Sequence, residues 1–188
     1  MKKLKISFNA PVVLSFVILC FIVTIVGNFH NGKIREMIFM TYHSPLKDPF
    51  TYLRLFTHIF GHADWEHFIG NISYLLLLGP MLEEKYGSGI LAGMIALTAV
   101  VTGIINYLLF WNVALCGASG VVFAFILLTS FTGFKEGEIP LTFLLVAIIF
   151  IGQQMIQGLT VQDNISNMAH IVGGIVGAVI GYILNKKK

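Results

Sequence analysis

Charge is what this sequence has least of. Of 188 residues, 12 are Lys or Arg and nine are Asp or Glu, 11% in all, against 56% hydrophobic. So few charges cannot coat a soluble domain of this length, which points to a membrane protein. Cysteine is nearly absent: Cys20 falls inside one apolar run and Cys116 near the end of another, so their depths do not favour a disulfide and leave the redox compartment open. Missing too are the alternating pattern of an outer-membrane barrel, a separate soluble domain, a low-complexity tract and an internal repeat. The net charge is only +3, which membrane topology accounts for without a nucleic-acid partner.

What the chain does have is apolar length. Six stretches approach the roughly 20 residues that cross a bilayer core about 30 Å thick: residues 11–26, 65–82, 90–111, 117–134, 139–156 and 165–184. Each is expected to be a helix, because lipid offers the backbone no hydrogen-bond partners. The expectation is an all-α membrane protein, a bundle of six transmembrane helices forming one domain over residues 1–188, with a long outer loop at 27–64. The "MKKLK" start also suits a signal peptide, although no clear small-x-small cleavage site follows in "TIVGNFHNGK". Lys2, Lys3 and Lys5 precede the first segment and Lys186, Lys187 and Lys188 follow the last. With six spans both basic ends lie on one side, the cytoplasmic one. The "EEKYGSG" and "FKEGE" connections then face the cytoplasm, leaving Lys33, Arg35, Lys47 and Arg54 outside.

In this topology segments two, four and six all start from the outside, and each carries polar residues into the outer part of the membrane. His67 and Asn71, four apart, share one helix face. Ser119 lies in the first turn of segment four, and His170 a turn or two into segment six. Interhelical hydrogen bonding accounts for any one of them. Four at one level point to a site, since ionisable groups inside spans are costly and functional. Ala169, Gly173, Gly177 and Gly181 recur at a spacing of four, a small stripe that lets helices pack closely enough for a serine to reach a histidine.

The chemistry these residue types support is acyl transfer. A histidine near its ordinary pKa can take the proton of Ser119, making His170 the base. Asn71, His67 and the Ser119 amide can donate to a developing oxyanion, and Gly117 and Gly120 let a backbone approach. No third carboxylate is evident: Asp163 stands seven residues before His170, and Asp64 and Glu66 have no line to it. A Ser-His dyad follows, with packing around His170 orienting the ring. Cys116, one turn before Ser119, has no base beside it and suits a small apolar filler.

The ordered set of these motifs resembles the rhomboid family of intramembrane serine proteases: "LRLFTHIFGHADWEHFIGN" closing the outer loop, "EEKYGSG", "GASG" and "AHIVGGIVG". The resemblance implies cleavage of a peptide bond in or near the transmembrane segment of a membrane-anchored protein, with Ser119 as nucleophile and His170 as base. It implies an oxyanion hole of His67, Asn71 and the amides of Ser119 and Ala118. It implies no metal or cofactor, protein substrates met in the lipid bilayer, and entry past segment five and the "QGLTVQDN" loop. Structural roles fall to Arg54, His58 and His62, and to Glu84 as a cap and tether of helices. The small six-span plan and the lack of organelle targeting resemble bacterial members, implying the plasma membrane.

Two positions depart from the family pattern. A Trp-Arg pair is replaced by Leu53-Arg54, and a tyrosine four residues after the serine by Phe123, which keeps a ring to stack on His170 and loses the hydroxyl. His58, His62 and His67 have spacings that suit zinc in principle, but no cysteine or aligned carboxylate completes a set of three or four ligands. The alternatives are a rhomboid-like chaperone or adaptor that binds transmembrane helices without cutting them, whose members usually lack the serine or the histidine, and a small transporter, which would spread polar residues through the bilayer.

Overall fold

The computed structural model describes residue 4 and residues 6–132, 138–160 and 164–186. Lys2, Lys3, Lys5, Lys187, Lys188 and Asp163 lie outside them, as do most of "FKEGE" and part of "QGLTVQDN". The elements are α1 (Pro11–Gly27), α2 (Lys33–Ile38), α3 (Pro49–Thr57), α4 (Trp65–Tyr86), α5 (Ser88–Leu109), α6 (Ser119–Ser130), α7 (Leu141–Thr160) and α8 (Asn164–Asn185), with 3₁₀ turns at Phe29–Gly32 and His58–Phe60. Among the described residues no strand forms; one antiparallel bridge joins Thr41 to Leu115.

Each of the six apolar segments is one helix: α1 and α4 to α8. By length and composition α5 and the stretch Asn167–Asn185 can cross a membrane, and α1, α6 and Leu141–Phe150 are shorter apolar helices. The outer faces are greasy: Leu77, Ile148 and Ile183 are 67%, 68% and 58% exposed. The polar Thr98, Thr102 and Asn106 of α5 are buried instead. An apolar exterior around a partly polar interior suits a hydrocarbon surround.

The fourth segment, expected at roughly 117–134, forms the shortest of the six helices. Gly117 has φ +125°, outside the helical region, so α6 starts only at Ser119. Its 12 residues rise about 18 Å at 1.5 Å each, too little for a bilayer core alone. α6 is the core helix, with Ser119, Gly120, Val121, Val122, Ala124 and Phe125 buried. It packs on α8 backbone to backbone. A Cβ on Gly173 would stand 2.0 Å from the Gly120 carbonyl oxygen, and one on Gly177 2.1 Å from that of Ala124. The small stripe read from the sequence is this contact.

At the opposite end of α4, one carboxylate joins three helices. Pro11 opens α1 and no side chain of that helix's own start caps it. Instead the two carboxylate oxygens of Glu83 accept the Val12 and Val13 amides, each at 3.0 Å. Glu83 also accepts the Ser88 hydroxyl at 2.6 Å, at the start of α5. These are helix-start amides with no intrahelical acceptor, and a negative charge there is favoured. The cap and tether expected of Glu84 is therefore made by its neighbour. Glu83 turns inward, 5% exposed, and the next residue along the helix, about 100° further round, faces out.

Two outcomes follow. Gly177→Leu should overpack the contact between α6 and α8, costing about 1–3 kcal/mol or more, read as a fall in the thermal midpoint in detergent. Glu83→Gln should cost about 1–3 kcal/mol through weakened helix-start bonds, whereas Glu84→Gln should stay within about 0.5 kcal/mol of wild type. Equal effects at 83 and 84 would contradict the assignment.

Candidate active site

A cavity of about 310 Å³ opens among α4, α6, α7 and α8, lined by His67, Gly70, Asn71, Tyr74, Ser119, Val122, Phe123, Ile126, Phe150 and His170. The four polar residues that the sequence placed at one depth meet here. On α4, residues 67, 70, 71 and 74 follow the i, i+3, i+4, i+7 pattern of one helix face, so Gly70 and Tyr74 were within reach of the same reasoning. Phe150 carried no such signal, because it stands in the uninterrupted apolar run 143–151.

Ser119 is the first residue of α6, 8% exposed, and no side chain caps that terminus. The helix start therefore presents amide donors and the positive end of its dipole. Asn71 is 7% exposed, and its Nδ2 has no hydrogen-bond partner among the described residues. An unpaired buried donor is costly, and this one borders a cavity where a ligand oxygen could accept from it. His170 stacks on Phe123, ring centroids 4.2 Å apart and planes 6° from parallel. The ring expected at position 123 is thus in contact with the histidine without a hydroxyl. Phe123 is met edge-on by Phe150 at 5.2 Å.

Gly117 is required twice over. Its φ of +125° is rare for a residue with a Cβ, and a Cβ there would lie 2.6 Å from His67 Cε1 and 2.7 Å from Nε2. At Gly120 a Cβ would stand 3.4 Å from the Ala169 carbonyl oxygen, so the residue before His170 sits beside the residue after Ser119.

The outer loop holds the chain that leads into Ser119. The Gly117 amide donates to the His58 carbonyl at 2.9 Å, and Thr41 and Leu115 exchange bonds at 2.8 and 2.9 Å. The Ala118 amide, expected in the oxyanion hole, donates to His62 Nε2 at 3.4 Å and is turned toward that ring instead. Since His62 Nδ1 lies 3.3 Å from the Phe60 carbonyl, its proton sits on Nδ1, leaving Nε2 free to accept. His58 has the same tautomer: Nδ1 donates to the Arg54 carbonyl at 3.1 Å, and Nε2 faces Thr102 Oγ1 at 3.2 Å. Burial pushes both His58 and His62 down to about 4, keeping them neutral. Both rings spend their nitrogens on protein partners one layer behind the cavity.

Arg54 is 2% exposed and organises the loop. It donates to Asp48 Oδ2 at 2.7 Å, Ser44 Oγ at 2.8 Å and the Met37 carbonyl at 3.1 Å, and lies 4.5 Å from the centroid of Tyr42. Leu53 beside it is 44% exposed and takes no part. Arg35, which sequence reasoning left aside, also grips carbonyls.

A family model described as "Rhomboid domain" matches residues 49–187. The chain is 30% identical over 141 residues to Rhomboid-related protein 1 of Caenorhabditis elegans, covering 70% of this chain and 39% of that protein. It is 30% identical over 139 residues to Rhomboid protease GlpG of Salmonella newport (strain SL254), covering 72% of this chain and 50% of the relative. The same figures hold for Rhomboid protease GlpG of Salmonella typhi. The chain belongs to the rhomboid family, and it spans half or less of the length of these relatives.

Asp48 provides a pH test of the outer loop. The Arg54 side chain, helped by the Phe50 amide at 2.9 Å, holds the Asp48 carboxyl below its ordinary value. A depressed folded-state pKa stabilises above the unfolded value, about 4, and that stabilisation is lost as pH falls through the folded value. Asp48→Asn should therefore lower the thermal midpoint at neutral pH and flatten its decline below about pH 4. An unchanged acid limb would remove Asp48 from the account.

Proposed function

We propose that the protein is an intramembrane serine endopeptidase that cleaves peptide bonds in or near the transmembrane segments of membrane-anchored proteins. Ser119 and His170 act as a dyad. His170 takes the Ser119 proton as Oγ attacks the scissile carbonyl carbon, giving a tetrahedral oxyanion. The Asn71 amide, His67 and the Ser119 backbone amide donate to that oxygen. The protonated His170 then gives its proton to the leaving amine, the C–N bond breaks, and an acyl-serine remains. Water, deprotonated by the same histidine, attacks the ester carbonyl and frees the serine. Phe123 fulfils by stacking the orienting task that a carboxylate performs in a triad.

The observation that carries this reading is one cavity lined by a serine at an uncapped helix start, a histidine held flat by a ring, and an amide donor with no partner. With α1 and α4 to α8 as six crossings, both termini are cytoplasmic, the site opens toward the outer face, and the chain resides in the plasma membrane. Substrate helices enter from lipid and unwind locally before their backbone reaches Ser119, which favours small or helix-destabilising residues near the cut.

The purified, detergent-solubilised protein should label with a fluorophosphonate probe, and Ser119→Ala and His170→Ala should abolish labelling without loss of fold. Asn71→Ala should slow labelling roughly 100- to 1000-fold, as loss of one oxyanion donor does. Folded wild-type protein that does not label would favour a helix-binding relative that does not cut.

A further inference from the structure

Arg35, on α2, precedes the residues matched by the family model, which begin at 49. One of its nitrogens, Nη1, reaches three oxygens: the Ala63 carbonyl at 2.7 Å, Asn28 Oδ1 at 3.0 Å and the His62 carbonyl at 3.2 Å. Two glycines leave room for it. A Cβ on Gly27 would lie 3.2 Å from Arg35 Cβ, and one on Gly32 3.1 Å from its Nη2. Gly32 also has φ +83°, a conformation that favours glycine. Among the described residues Arg35 has no carboxylate partner; its charge is spent on carbonyl and amide oxygens.

Those carbonyls occupy a particular position. They belong to the two residues immediately before Asp64, which caps α4 by accepting the His67 amide at 2.7 Å. His67 faces the catalytic cavity. His62, whose carbonyl is held, uses its ring to accept the Ala118 amide at 3.4 Å, one residue before Ser119. The rings of His62 and His67 meet edge to face at 5.2 Å. A single guanidinium thus fixes the backbone that joins the acceptor for the serine loop to the start of the helix bearing the oxyanion donors.

We propose that Arg35 is a positioning residue for the active site: by holding the His62 and Ala63 carbonyls it sets where His67 and the Ala118–Ser119 backbone stand. Its effect on rate rests on the proteolytic reading above; its effect on the two segments does not. A displacement of about 1 Å at such a site costs up to roughly 100-fold in rate. Lysine would keep the charge but, with a compact ammonium on a different stem, would serve fewer of the three oxygens.

The test compares wild type, Arg35→Met and Arg35→Lys as full-length protein in detergent. Two readouts are taken: fluorophosphonate labelling across probe concentration, and amide hydrogen exchange. Arg35→Met should lower the maximal labelling rate roughly 10- to 100-fold, with the half-saturating probe concentration little changed. Exchange should rise in residues 58–68 and 113–120 while α5 and α8 stay protected. Arg35→Lys should fall between the two. Wild-type rate and exchange in Arg35→Met would overturn the proposal, as would exchange rising throughout the molecule. If Arg35→Met does not fold, a wild-type rate and exchange pattern in Arg35→Lys overturns it. If wild type itself fails to label, the proteolytic reading falls, and exchange alone decides whether Arg35 holds the two segments.

Discussion

The backbone contact between α6 and α8 governs the rest of the molecule. Gly173 lies against the Gly120 carbonyl and Gly177 against that of Ala124, in spaces that would not admit a Cβ. Without a hydrophobic driving force between helices in lipid, such closeness comes from van der Waals packing along small residues. Because Ser119 and His170 sit on these two helices just above the contact, the same glycines bring both into one cavity. Phe123, one turn along α6 from Ser119, then reaches across to stack on the histidine.

Around that pair the polar parts fall at two levels. At the cytoplasmic end of α4 in the proposed topology, Glu83 gathers the starts of α1 and α5. At its other end the outer loop is built on two arginines that bind backbone oxygens, Arg54 at Met37 and Arg35 at His62 and Ala63. Backbone polar groups away from water need partners, and a loop whose helices are short finds some of them in side chains. Neutral His58 and His62 do the same for the chain entering α6.

Much of this was legible in the sequence. Apolar length located α1 and α4 to α8, and helical spacing put His67 with Asn71 and aligned the glycines of α8. Motif order supplied the family. What escaped has physical causes. Adjacent Glu83 and Glu84 are chemically alike, and only helix phase relative to α1, a tertiary property, decides which one turns inward. The Ala118 amide points toward His62 because of loop geometry set by Gly117. Arg35 lacks any sequence pattern, since a guanidinium that binds carbonyls has no partner residue type to search for. The turn at Gly117 that starts α6 at Ser119 was not legible either, because a glycine's φ cannot be read from its identity.

The shortness of α6 bears on the second reactant. A crossing helix has roughly 20 residues and α6 has 12, about 12 Å short of a full span; in the proposed topology part of that shortfall lies outward of its first residue. In the proposed reaction hydrolysis occurs at that depth, where the surrounding solvent is hydrocarbon. Water for deacylation must then arrive by way of the cavity that Ser119 lines. Such an enzyme would respond to the dryness of its surroundings, including lipid packing at the cavity mouth, as directly as to the affinity of its substrate.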